Sequence, residues 1–180
     1  MPPSITTVPW APFSHLGRIY DLTHLHPFEV SFEQPAQGAK PPIVYTVDVT
    51  FSLHCFTKSP PKTGGYDRGM IYRSAREDRL FDIGRYEYSL HLPEIIRTLA
   101  QRKCMHTGHG NFFTVELVTE NGQTVDYEVF FTASKSARKG RVTLFIQSAF
   151  VREKKKLPPG KPVRFVVILH NTLHGKPIRD

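Results

Sequence analysis

Cysteine is nearly missing from this chain of 180 residues. Cys55 and Cys104 are the two, too few for a disulfide framework, and a reducing, cytoplasmic compartment is the expectation. No apolar run approaches the length of a membrane span. Met1 to Pro12 is proline-rich and polar, with neither a basic nor a long apolar stretch, so no leader peptide is expected there. The glycine-rich loops that cradle phosphates and dinucleotides, the nucleophile elbow and the HExxH zinc helix are also absent. No motif names a reaction by itself.

Acidic residues are scarce in one place. From Ala133 to Asp180 there are twelve Lys/Arg against two acids, whereas Met1 to Thr132 holds twelve against fourteen. The whole excess behind the net charge of +8 therefore sits in the last quarter of the chain. Such asymmetry points to a face that meets phosphate, with a solvated basic surface as the competing reading. RNA or another polyanion is the expected partner. A protein inhibitor or partner chain is the other class considered, and no membrane is expected.

The pattern along the chain reads as one α+β domain over residues 15–180, preceded by an extended arm over residues 1–14. Tyr45, Val47, Val49, Phe51 and Leu53 alternate with polar residues and make Ile43 to His54 a half-buried strand. Phe28 to Glu33 alternates in the same way. Phe81 to Lys103 is helical, with Pro93 suited to a first helical position and Ile95, Ile96 and Leu99 forming a stripe. Cys104 to Gly110 ends that region. Phe112 to Thr119 and Thr124 to Thr132 are strands joined at Asn121–Gly122, a strong hairpin signal. Arg141 to Arg152 and Val163 to His170 complete a four-stranded antiparallel meander. The two earlier strands join its sheet or form a second small one.

Helical elements followed by a four-stranded antiparallel meander, on a basic chain, resemble the small ribonuclease fold of RelE-type toxins and the related barnase, EndoU and colicin nucleases. The resemblance covers Asp82 to His170 and rests on element order and charge. It implies metal-independent RNA cleavage, in which a 2′-hydroxyl attacks the adjacent phosphorus, a base takes its proton, and cations steady the phosphorane.

Three groups of residues fit that chemistry. Lys135, Lys139, Arg141, Ser148, Arg152, Arg164 and His170 stud the last strands and are expected to hold RNA, with Val142, Leu144, Ile146, Ser148 and Phe150 sharing one strand face. Lys154, Lys155 and Lys156 would add to them. Arg85 and Ser89, four apart before the Pro93 helix, are expected to share a phosphate, with His91 beside them as an acid or base. His54 ends the well-patterned strand and is the third catalytic candidate. A structural network with Asp78, Asp82 and Glu87 is the plainer reading of the second group.

No cofactor and no metal are expected. His24 and His26, and Cys104, His106 and His109, are donors in sequence, but their spacing matches no familiar zinc pair. The chain is read as an endoribonuclease, with a non-catalytic nucleic-acid-binding protein and an oligomeric interaction protein as alternatives.

Overall fold

The computed structural model describes residues 9–108, 110–153 and 159–178. In chain order the strands and helices are β1 (Phe13–His15), β2 (Arg18–Tyr20), β3 (Phe28–Gln34), β4 (Ile43–Phe51), β5 (Thr57–Lys58), β6 (Ile71–Arg73), β7 (Asp78–Phe81), α1 (Ile83–Ser89) and α2 (Leu92–Arg97). Then come β8 (Lys103–His106), β9 (Asn111–Val118), β10 (Thr124–Lys135), β11 (Arg141–Val151), β12 (Lys161–Arg164) and α3 (Phe165–His174). The fold is α+β. Seven strands form one sheet in the order β12-β8-β9-β10-β11-β4-β3, β5-β7-β6 form a second, and β1-β2 make a hairpin.

The expected alternation of Ile43 to Phe51 is realised. Tyr45, Val47, Val49 and Phe51 are buried, and Thr46, Asp48 and Thr50 are not. β4 pairs in parallel with β11, placing Val47, Val49 and Phe51 beside Val142, Leu144 and Ile146. The other pairings of the large sheet are antiparallel. β3 and β4 thus extend the main sheet, as one of the two expected arrangements has it. One face is covered by α3, whose Phe165 packs edge-on to Phe32 and Phe131, and by α1, whose Tyr88 stacks on Tyr127. Of the expected arm, Trp10 and Phe13 pack on Phe56, Tyr72 and Phe81. Residues 1–8 lie outside the described part.

Local chemistry places the elements. Asp82 caps α1 by accepting from the Arg85 backbone N–H at 2.8 Å. Pro93 stands in the first turn of α2, as expected. Gly122, at φ +76°, turns the β9–β10 hairpin. Gly175, at φ +66°, closes α3 in the left-handed conformation.

The meander is made of β8, β9, β10 and β11, so its membership differs from the expectation at both ends. Cys104 does not end the helical region; it lies in β8, paired with Val163 on one side of the strand. Val163 to His170 is not a fourth strand next to β11. Its first residues pair with β8 at the far edge, and Phe165 onward is helix. Phe165, Ile168 and Leu169 are all buried, at a spacing of three and four. The β-branched residues of "VVI" imitate a strand, but burial follows the helical period.

A second correction concerns β11. The register slips between Phe130 and Phe131, which face Ser148 and Ile146, so Gln147 is an extra residue. A bulge of this kind inverts the side-chain parity beyond it. Ser148 and Phe150 therefore do not share the face of Val142, Leu144 and Ile146, and Ala149 is buried instead. Phe112, Phe130 and Phe150 stack as a ladder on the opposite face.

Burial alone would raise the Asp82 carboxyl, but the Arg85 N–H, Lys58 and the Arg85 charge outweigh it and hold the group below its usual range. A depressed carboxyl contributes stability above its unfolded value of about 3.9 and loses it as pH falls through the folded value. Asp82→Ala is expected to cost about 1 kcal/mol at neutral pH. Urea melts across pH should show the gap to wild type closing under acid; a gap that persists there would assign the cost to packing.

Candidate nucleic-acid interface

The basic residues of β10 and β11 divide into those that have acidic partners and those that do not. Glu29 on β3 faces Asp48 on β4, and Asp48 faces Thr143 on β11. This places two acids beside the turn after β10. Arg138 bonds Asp48, and Arg141 bonds Glu29 and also reaches Asp48 at 3.3 Å. The Glu29 carboxylate, and then Asp48, hold the Arg141 guanidinium above its ordinary range. Arg152 bonds Asp126 and lies 3.4 Å from Glu128. Arg141 and Arg152 are thus tied to carboxylates. Lys135 and Lys139 are exposed at the β10 end and in the following turn, and Arg164 is exposed where β12 meets α3.

Basic side chains gather around the C-terminal end of α3. His170 Nδ1 lies 3.1 Å from the Tyr45 hydroxyl, and its ring stacks on His174 at 4.2 Å. Burial lowers the His170 pKa, and the charges that act on it in the same direction, His174, Lys176 and Lys40, are all cations. Lys135 reaches the same place: a Cβ built on Gly175 would stand 3.5 Å from its Nζ. The negative end of the helix dipole offsets part of this repulsion. Beside it runs a groove of about 530 Å³ lined by His106, Lys161, Asn171 and Lys176, with no acid in its lining among the described residues.

The catalytic candidates are placed differently. His54 lies in a 3₁₀ turn, and its Nε2 is 2.9 Å from Glu77 Oε1. Arg79 sits 3.4 Å from the other Glu77 oxygen and also bonds Thr57 and Ser59. Arg85 gives Nη1 to the carbonyls of His54, at 3.1 Å, and Thr57, at 2.8 Å. It thereby ties α1 to the 3₁₀ turn. Ser89 is buried, donating to the Tyr86 carbonyl and meeting His24 at 2.8 Å. It does not share a phosphate site with Arg85. His91 is exposed at the corner between α1 and α2, with no hydrogen bond to the His54 ring among the described residues. Ser148 is half-buried on the ladder face.

The histidine and cysteine donors do not converge among the described residues. His24 meets Ser89, His26 meets the Trp10 carbonyl, and His106 meets Asn111. His109 and Lys154 to Lys156 lie outside the described residues.

A second concavity, of about 600 Å³, opens between α1 and the end of β11. Phe130 and Phe150 form its apolar side, Lys58, Asp82, Arg85 and Tyr88 one wall, and Glu128 and Arg152 the other. Glu128 is 2% exposed, accepts no hydrogen bond at Oε1 among the described residues, and has its pKa raised by burial against the opposing pull of Arg152. A buried polar group paired this loosely costs about 1–3 kcal/mol.

The sequence pattern defining the YjaZ family covers residues 12–173. The chain belongs to that family. It is 34% identical over 171 residues to Protein YjaZ of Escherichia coli strain K12, an overlap of 93% of this chain and 92% of that protein. No solved structure matches. The matched span includes the positions lining the concavity at Glu128, and Lys40, Lys135 and His170, while His174 and Lys176 fall just past its end. No helix among the described residues is long and apolar enough to cross a membrane.

Sequence reasoning missed Lys40, Lys176, Glu128 and Phe130. Lys176 follows a segment misread as a strand, so its position at a helix end was invisible. Glu128 did leave a signal, as the one charge inside "YEVFF".

Both cysteines are buried, and desolvation pushes each thiol up to about 12. Thiolate is the reactive form, so neither thiol of the folded protein is expected to react with a disulfide reagent near neutral pH. Both should react in denaturant. Rapid labelling of the native chain would show that one of them is accessible.

Proposed function

We infer that this protein binds RNA as a non-catalytic module, through the cations gathered at the end of α3. The observation that carries the reading is that Lys40, Lys135, His174 and Lys176 lie around His170 and Gly175 at the end of α3 while the acids near β11 are spent on Arg138, Arg141 and Arg152. Uncompensated charge is what attracts a phosphate chain and releases its counterions. Lys161 extends the positive surface along the adjoining groove. Single-stranded RNA is the ligand to test, since its backbone can follow a basic groove of about 530 Å³.

The test is fluorescence anisotropy with single-stranded RNA over a salt series. Replacing Lys135 and Lys176 together by Ala is expected to weaken binding about tenfold and to flatten the log–log salt slope by about 1.4, two phosphate contacts at about 0.7 each. Binding should also strengthen as pH falls below about 6.5, where histidine takes up its proton, with His170 contributing at the acid end because its pKa is depressed. An unchanged slope in the double variant would remove this surface from RNA binding.

The endoribonuclease reading is favoured by a separate observation, the His54–Glu77 pair at 2.9 Å with Arg79 alongside. A carboxylate that holds one imidazole nitrogen leaves the other free to move a proton. On this reading, labelled RNA is cut in EDTA by wild type and left intact by His54→Ala and Glu77→Gln. RNA that stays whole with wild type while still binding would leave the module reading alone.

A further inference from the structure

We propose that the end of α3 is a seat for a phosphomonoester, the terminal phosphate of an RNA strand whose following nucleotides lie along the adjoining groove. The proposal deepens the RNA reading and rests on it for the source of the phosphate.

Three observations converge. The first is that the cations come together from separate parts of the chain. Lys40 stands between β3 and β4, Lys135 at the end of β10, His170 and His174 on α3, and Lys176 just after it. Lys135 Nζ lies beside Gly175, the His170 and His174 rings stack at 4.2 Å, and Lys40 and Lys176 both act on His170. Lys40, Lys135, His174 and Lys176 are exposed and His170 is half-buried, so the place is open to a ligand. A phosphodiester offers one charge. A phosphomonoester offers close to two, with three unesterified oxygens, and can engage two lysines and an imidazole together.

The second is that the hydrogen bonds around the two imidazoles leave the same atom of each for a ligand. His174 Nδ1 donates to the His170 carbonyl at 2.8 Å. The Tyr45 hydroxyl gives its proton to Gln34 Oε1 at 3.2 Å and so accepts from His170 Nδ1 at 3.1 Å. Both rings therefore carry a hydrogen on Nδ1, and Nε2 lies outside these bonds. A ring that takes up a second proton becomes an Nε2–H donor to an anion. The carbonyls at the end of α3, which would repel an anion, are partly engaged as well. Thr172 accepts from the Gly175 N–H, and Asn171 accepts from the Lys176 N–H.

The third is how charge is distributed along the groove. Lys176 belongs both to the cluster and to the groove lining. Away from it the lining has Lys161 as its other lysine, whereas Val163, Val167, Pro177 and Ile178 are apolar. Positive charge is thus dense at one end and sparse beyond it. The interior of a nucleic-acid strand is charged evenly, one unit per nucleotide, and a phosphorylated end is the place where charge rises.

The test is anisotropy with RNAs of one sequence that carry a 5′ phosphate, a 3′ phosphate or hydroxyls at both ends. A phosphorylated form is expected to bind about tenfold tighter than the hydroxyl form, the size of one added charge-assisted hydrogen bond. The favoured end gives the direction of the strand. Lys135→Ala/Lys176→Ala is expected to abolish the preference, and Lys161→Ala to weaken all three forms alike while keeping it. Equal affinity of the three RNAs for the unaltered protein overturns the seat and leaves backbone binding standing. A preference that survives in the double-lysine variant also overturns it. Where no RNA binds, calorimetry with UMP against uridine decides. If UMP is preferred, the RNA reading falls and the seat stands for a free nucleotide; if it is not, both fall.

Discussion

The parallel pairing of β4 with β11 is the constraint on which the rest of the structure depends. It buries Val47, Val49 and Phe51 beside Val142, Leu144 and Ile146, joining strands that lie far apart in sequence. Parallel neighbours need a long crossover. Here that crossover contains the small sheet, α1, α2 and the meander up to β11. The end of the seam is also tied down: the Ser52 N–H and the Cys55 thiol both donate to the Ile146 carbonyl. The turn so anchored offers the His54 and Thr57 carbonyls to Arg85, which fixes α1. The wall of the cleft at Glu128 is therefore set by a pairing made on another part of the sheet.

The same seam decides what the charge asymmetry of the sequence becomes in space. Counted along the chain, the last quarter is basic and the rest nearly balanced. Folded, β3 and β4 bring Glu29 and Asp48 against Arg138 and Arg141. Exposed pairs of this kind contribute little stability, about 0–1 kcal/mol each. Their effect on recognition is larger, because each paired arginine is withdrawn from the field that a polyanion meets. At the end of α3, by contrast, no ion pair between Lys40, Lys135 or Lys176 and a carboxylate is found among the described residues.

The parts of this fold that were legible in the sequence are those set by local chemistry. Strict alternation gave β4, Asn121–Gly122 gave the β9–β10 hairpin, and Pro93 gave the start of α2. The misread parts are set by partners distant in sequence. Val163 to His170 has β-branched composition, and the buried triplet Phe165, Ile168 and Leu169 declares a helix once there is a sheet face for it to cover. The bulge at Gln147 is invisible without its partner strand, yet it moves Ser148 and Phe150 to the other face. Arg85 and Ser89 have the right spacing for a shared helical face, but one binds carbonyls across the turn and the other is buried beside His24. Spacing along a helix fixes direction and leaves the partner open.

That last point bears on how the two concavities differ. A cation cluster assembled from loop and helix ends tolerates substitution, since any lysine near the surface restores part of the field. A carboxylate in the middle of β10 has no such freedom. Its neighbours Tyr127 and Val129 are fully buried on one face, so residue 128 is bound by the pleat to the other. On that face the bulge brings Phe150 against Phe130, and the cleft opens beside them. An apolar residue at 128 would join the ladder and fill the gap with less desolvation cost. Glu128 is costly there in the folded protein alone, and a role outside folding is what that cost leaves to be explained.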